Sequence, residues 1–179
     1  MDNLILIGLK NCGKTTLARK ISDHFKMYLI KIDDLIEKQH AKDKKEKLTF
    51  REIFKKWGKD YFRSLETRIL KEIERNKLKE IVVDCGGGVP MREENRQILK
   101  KIGKVVFIDL DKEINFIRIM NNGIPAFFKY KNDPKKSFVE YEKERRALYG
   151  KLADYIIRIK NESPEEILKK IIKLKIFNV

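Results

Sequence analysis

Residues 8–15 read Gly8-Leu9-Lys10-Asn11-Cys12-Gly13-Lys14-Thr15, which fits the phosphate-binding loop pattern G-x-x-x-x-G-K-[ST]. The pattern constrains the fold because its chemistry works only between a strand and a helix. The glycines let backbone N–H groups turn onto an anion, and the following helix directs its positive dipole end at the same point. Both neighbours are of the required kind. Leu4-Ile5-Leu6-Ile7 is an apolar run of strand length, and Leu17, Ile21 and Phe25 recur on one helical face. A chance match is the competing reading. At an average glycine usage of about 7%, it arises in roughly one chain in a hundred or fewer, before the flanks are considered. Gly8, Asn11, Cys12, Gly13, Lys14, Thr15 and Thr16 are therefore the candidate nucleotide-binding residues. Lys14 is expected to reach the β- and γ-phosphates, and the Thr15 hydroxyl to hold magnesium.

The rest of the chain alternates strand and helix. Strands are expected at 28–32, 81–84, 105–109 and 155–159, each an apolar run of buried type. Helices are expected from Asp33, over 49–57, 59–76, from Pro90, over 111–120, 137–150 and from Ser163, the last with Ile167, Ile171 and Leu174 turned inward. Thr49 and Glu52 have the spacing of a capping box. A charged connector is expected over 40–47, a stop at Lys56-Trp57-Gly58, and a mobile lid over about 122–136, where breakers and lysines cluster. Five buried-type strands between helices imply an α/β fold in three layers with a five-stranded parallel sheet. No linker or repeat divides residues 1–179, so one domain is expected. Right-handed crossovers bring the segments after Ile7, Ile32, Asp84 and Asp109 to one sheet edge, where such folds bind ligands.

Composition narrows the class. The formal charge of +15 favours anionic partners. Lysine is nevertheless spread along the chain, and its densest stretch, 42–47, is interrupted by acids. A solvated surface is therefore expected rather than a nucleic-acid-binding one. Two cysteines are too few for a disulfide framework, and His24 and His40 form no ligand cluster, so no zinc site is expected. No apolar run reaches the length of a membrane span. Met1-Asp2 leads straight into the first strand without a secretory pattern, and a cytoplasmic monomer is expected.

A second set of residues joins the loop: Asp33, Phe62-Arg63-Ser64-Leu65-Glu66, Gly86-Gly87-Gly88 and Arg145 ahead of Ala147-Leu148-Tyr149. Taken singly, each has a plain explanation. Asp33 is a helix cap, Arg63 and Glu66 are a surface i,i+3 pair worth little, the glycines are a turn, and Arg145 is one base among charges. In this order behind a phosphate loop, the set resembles the shikimate kinases, from Leu4 to about Ile159. The resemblance implies a P-loop kinase with a helical substrate-binding insertion at about 33–65. It implies transfer of phosphate from MgATP to the 3-hydroxyl of shikimate, giving shikimate 3-phosphate and ADP, a step of aromatic amino-acid synthesis. Asp33 would bind and activate the hydroxyl. Arg63, oriented by Glu66, and Arg145 would grip the carboxylate. Gly86, Gly87 and Gly88 would admit the ring, and Arg118 would stack on adenine.

Three positions depart from the family pattern. Lys31 stands where an acid helps hold hydrated magnesium, and Asp84, at the end of its strand, is the expected substitute. Ile124 stands where the lid carries an arginine, and Lys129, Lys131 or Arg118 is expected to compensate. Lys10 stands where an apolar residue is usual. The altered lid leaves open a same-fold kinase for another small hydroxy acid or a nucleotide. The charge alone leaves open a basic ATP-binding regulator that contacts nucleic acid.

Overall fold

The computed structural model describes residues 2–174 and 176. Its strands are β1 (Leu4–Ile7), β2 (Tyr28–Lys31), β3 (Ile81–Asp84), β4 (Lys104–Leu110) and β5 (Tyr155–Ile159). Its helices are α1 (Lys14–Phe25), α2 (Ile32–Lys44), α3 (Phe50–Arg75), α4 (Glu93–Ile102), α5 (Lys112–Met120), α6 (Pro134–Leu152) and α7 (Pro164–Lys173). The sheet is parallel throughout, in the order β2-β3-β1-β4-β5. β1 and β3 are entirely buried, as parallel strands covered on both faces require.

Strand alternation divides the core in two. Ile5, Ile7, Val83, Val105 and Phe107 face α2, α3, α4 and α6 through Ile36, Ile53, Ile69, Leu99 and Tyr149. Leu4, Leu6, Val82, Val106 and Ile108 face α1 and α7 through Leu17, Ile21, Ile167 and Ile171. A small separate cluster of Ile119, Phe128 and Phe138 fastens the loop after α5 to α6.

Several boundaries differ from expectation, each for a local reason. The connector expected at 40–47 is largely helix, because α2 runs on to Lys44. His40 is fully buried there, its Nδ1 3.0 Å from the Tyr61 hydroxyl and its ring edge-on to Trp57, which pins α2 to α3. Thr49 and Glu52 do form the capping box. The stop at Gly58 is a kink, not an end: Gly58 has φ 80° and ψ 174°, and α3 continues beyond it. Pro90 lies in a 3-10 turn, Val89–Met91, and α4 starts only at Glu93. α6 begins at Pro134, so the last three residues of the expected lid are helix, capped by the Asp133 carboxylate on the Lys136 N–H. Leu174 is exposed, not inward.

Candidate active site

The segments after β1, β2, β3 and β4 meet at the carboxyl edge of the sheet. The crossover from β1 runs to the β2 side and the crossover from β3 runs back past β1 to β4, which makes the carboxyl ends of β1 and β3 the position where such sheets bind ligands. The phosphate loop occupies this point. Gly8 leaves β1 where a Cβ would stand 2.7 Å from the Ile108 carbonyl oxygen. Asn11 and Gly13 take positive φ of 61° and 97°, and α1 starts at Lys14. This left-handed bend faces successive N–H groups inward at a helix N-terminus. Thr16 is exposed on the first turn of α1. Cys12 is buried, its sulfur 3.6 Å from the Lys14 ammonium, which also donates to the Leu9 carbonyl at 2.9 Å. Burial opposes the charge on Lys14, but Cys12, Asp84 and two tyrosines outweigh it and the pKa is raised.

The Thr15 hydroxyl donates to Asp84 Oδ2 at 2.6 Å. β3 pairs with β1 and places Asp84 beside Leu6, which is why residues 69 apart meet. Thr15 and Asp84 thus present hard oxygen ligands at the helix N-terminus, the donor type that magnesium takes alongside phosphate and water. Burial raises the Asp84 pKa, against the pull of Thr15, Lys14 and Lys31. Lys31 lies opposite Asp84 in the β2–β3 register, but its ammonium is tied to Asp34 Oδ2 at 2.6 Å.

Asp33 lies in the first turn of α2, against the glycine turn. A Cβ on Gly86 would stand 3.2 Å from Asp33 Oδ1 and 3.9 Å from Glu66 Oε1. Burial and the neighbouring Asp84 charge push the Asp33 carboxyl up to about 6, with Lys14 pulling the other way. Arg63 Nη1 donates to both Glu66 oxygens, at 2.5 and 2.6 Å. The side chains are only 14% and 1% exposed, so this is no solvated surface pair. Burial raises the Glu66 pKa and Arg63 opposes it. A Cβ on Gly88 would collide with the Arg63 guanidinium. Arg145 reaches the turn from α6 and donates to the Gly87 carbonyl, with its guanidinium 4.4 Å from the Tyr141 ring centre. A Cβ on Gly87 would meet the Gly8 carbonyl oxygen at 3.4 Å and Arg145 Nη1 at 3.8 Å. Asp33, Arg63, Glu66, Arg145 and the phosphate loop therefore converge on three consecutive glycines.

The family model described as "Shikimate kinase" matches residues 10–175. The chain belongs to the shikimate kinase family. It is a kinase of the P-loop fold. A shikimate kinase of Clostridium botulinum (strain 657 / Type Ba4) is 36% identical over 173 residues, covering 97% of this chain and 95% of the relative. One of Thermodesulfovibrio yellowstonii is 31% identical, with 97% and 94% covered. Among solved structures, the shikimate kinase of Acinetobacter baumannii in complex with shikimate superposes with a TM-score of 0.84 at 27% identity, covering 97% of this chain and 92% of that one. The shikimate kinase of Aquifex aeolicus gives 0.72 at 29% identity, with 96% and 94% covered.

Sequence reasoning missed the residues that brace the site. Asn115, fully buried in α5, donates to the Lys10 carbonyl at 2.8 Å, and Asn11 donates to the Arg118 carbonyl at 3.0 Å. α5 therefore holds the loop, while the Arg118 side chain is exposed at its flank. Tyr149, fully buried, donates to the Gly87 carbonyl and packs edge-on to Phe107. Thr67 and Asn95 bond at 2.8 Å, and Asn95 carries the Val89 carbonyl at 2.9 Å, which fixes the end of the glycine turn. A polar residue at a helix position that should be apolar, as Asn95 and Asn115 are, was the available signal. Of the expected lid cations, Lys131 donates to the Pro125 and Ala126 carbonyls at 2.6 and 3.2 Å, and Lys129 is exposed, its ammonium 5.0 Å from the centre of the Tyr130 ring.

No helix among the described residues is long and apolar enough to cross a membrane.

Proposed function

We propose that this kinase transfers the γ-phosphoryl group of ATP to the 3-hydroxyl of shikimate, giving shikimate 3-phosphate and ADP. One observation carries the reading. The turn Gly86, Gly87 and Gly88 is backed at once by Asp33, Arg63, Arg145 and the Gly8 carbonyl. A small ring lying on that turn touches a base and two guanidiniums while its hydroxyl faces the phosphate loop.

In this reading the loop amides and Lys14 hold the β- and γ-phosphates. Thr15 and Asp84 are the candidate residues for magnesium, which supplies charge neutralisation between those phosphates when bound. Arg63 and Arg145 clamp the carboxylate by charge-assisted bonds, and Glu66 keeps Arg63 aimed. Asp33, with its carboxyl raised to about 6, is ionised at neutral pH and basic enough to take the hydroxyl proton as the P–O bond forms. Arg118 flanks the adenine position. The loop after α5, residues 121–133, serves as a lid that excludes water, with α2 and the first half of α3 as the acceptor-binding insertion. The whole chain is read as one kinase domain acting as a cytoplasmic monomer, and its two buried free cysteines support a reducing compartment.

A coupled ADP-release assay over shikimate, related cyclic acids and nucleoside monophosphates tests the proposal. Turnover is expected with shikimate and magnesium. Turnover with a nucleoside monophosphate and none with shikimate refutes it.

A further inference from the structure

Lys10 is the third residue of the phosphate loop, and its backbone is fixed from two sides. Its N–H donates to the Tyr141 hydroxyl of α6 at 3.4 Å, and its carbonyl accepts from Asn115 of α5 at 2.8 Å. Its N–H is also near the acceptor wall, since a Cβ on Gly87 would stand 3.7 Å from it. The backbone of Lys10 thus stands beside the glycine turn, and its side chain extends toward Phe127 of the loop after α5. Its ammonium lies 5.5 Å from the centre of the Phe127 ring, under the lid. Phe127 stacks on Tyr141 with centroids 4.8 Å apart, and Tyr141 lies under Arg145.

Among the described residues no carboxylate pairs with Lys10, whereas Lys31 is paired with Asp34 and Lys131 donates to the Pro125 carbonyl. Burial, followed by repulsion from Arg51 of α3, holds its pKa below the usual lysine value. A half-buried ammonium facing an aromatic ring and a second cation is incompletely compensated, since a ring face attracts a cation through its quadrupole and carries no net charge. An anion arriving between loop and lid completes it. The lid itself offers no such charge at its exposed Ile124, Lys131 is tied to the Pro125 and Ala126 carbonyls, and Lys129 is exposed to solvent against Tyr130.

We propose that Lys10 supplies the lid-side positive charge to the phosphoryl group in transit, leaving the Phe127 ring to meet the γ-phosphate. This rests on the reading of the site as a phosphoryl-transfer centre. The acceptor oxygen forms its bond to phosphorus as the bond to the β-phosphate oxygen breaks, and the hydroxyl proton passes to Asp33. Lys10 stays protonated throughout. It neutralises charge on the moving oxygens and gives up no proton. A cation already on the lid side of the loop, with its backbone held by Tyr141 and Asn115, stabilises the transition state more than the ground state once the closed site excludes water.

The test compares the wild type with Lys10→Met and Lys10→Arg. Calorimetry with magnesium measures the affinity of ADP and of a non-hydrolysable ATP analogue, and the coupled assay measures kcat and the KM for shikimate. Lys10→Met is expected to lower kcat by about 10²–10³-fold, less than an arginine finger supplies. The shikimate KM should stay within about twofold, and the preference for triphosphate over diphosphate should fall by about tenfold. Lys10→Arg is expected to keep both within about tenfold of wild type. A Lys10→Met protein with unchanged kcat and unchanged triphosphate preference overturns the proposal. If the wild type ignores shikimate yet prefers the triphosphate, and Lys10→Met removes that preference, the acceptor assignment falls and Lys10 stands. A wild type that binds neither nucleotide overturns both.

Discussion

Replacing Glu66 separates what the Arg63–Glu66 pair does for stability from what it does for the acceptor. Glu66 is 1% exposed and takes two bonds from one nitrogen of an arginine that is itself 14% exposed. Glu66→Gln keeps the volume and one acceptor oxygen but removes the charge. Charge-assisted hydrogen bonds contribute roughly 1.5–3 kcal/mol against about 1 for neutral ones, so the hold on Arg63 weakens by about 1–2 kcal/mol. If Arg63 grips the carboxylate, that loss appears as a rise of roughly 5–30-fold in the acceptor KM, with the ATP KM unchanged. The melting temperature should move little, because the neutral amide is also spared the burial penalty that raises the Glu66 pKa. Glu66→Ala differs. It strands the guanidinium without a counter-charge, which costs about 3 kcal/mol at the lower end of the range for broken buried pairs. For a chain of this length that lowers the melting temperature by roughly 6–12 °C. Steady-state kinetics in both substrates, with thermal melts, decides the matter. An unchanged acceptor KM in Glu66→Gln, or an equal rise in the ATP KM, refutes the reasoning.

Three further outcomes follow from the geometry. Asp33→Asn should abolish turnover while stabilising the fold at pH 8. The folded pKa of about 6 lies above the ordinary 3.8, so wild-type stability falls as pH rises between those values, by up to about 3 kcal/mol; melts of the two proteins should converge near pH 4, and wild-type activity should fall as pH drops through about 6. Asp84→Asn should raise the magnesium concentration needed for half-maximal rate by about tenfold, as loss of a partner to a metal ligand does; an unchanged magnesium profile in the coupled assay removes Asp84 from that role. Gly58→Ala should lower stability by about 1–3 kcal/mol in denaturant titration, because φ 80° with ψ 174° is a region open essentially to glycine alone.

The local elements of this chain were legible from the residues. A strand, a glycine loop and a helix follow from short-range pattern, since turning amides onto an anion needs glycine and a helix dipole within a few positions. The capping box expected at Thr49 forms, the helix expected from Ser163 starts there, and the structure adds a second box between Ser163 and Glu166. Boundaries are less legible where a breaker residue is tolerated by tertiary packing: Gly58 bends α3 without ending it, and His40 draws a charged segment into helix by burial against Trp57 and Tyr61.

The sequence by itself determined that the chain is a parallel α/β protein with a phosphate loop, and which acids and bases accompany that loop. Only the tertiary structure decided how they act. Arg63 and Glu66 have the same spacing whether they lie in solvent or in a low-dielectric wall, and the glycine turn seals them into the latter. Inserting β3 between β1 and β2 brings Asp84 to Thr15 and opposite Lys31. The packing of the loop after α5, with α5 and α6, around the phosphate loop leaves Lys10 without a carboxylate partner among the described residues. Charge and hydrogen-bonding capacity belong to a residue, but burial and partnership depend on which distant segments the sheet order brings alongside it.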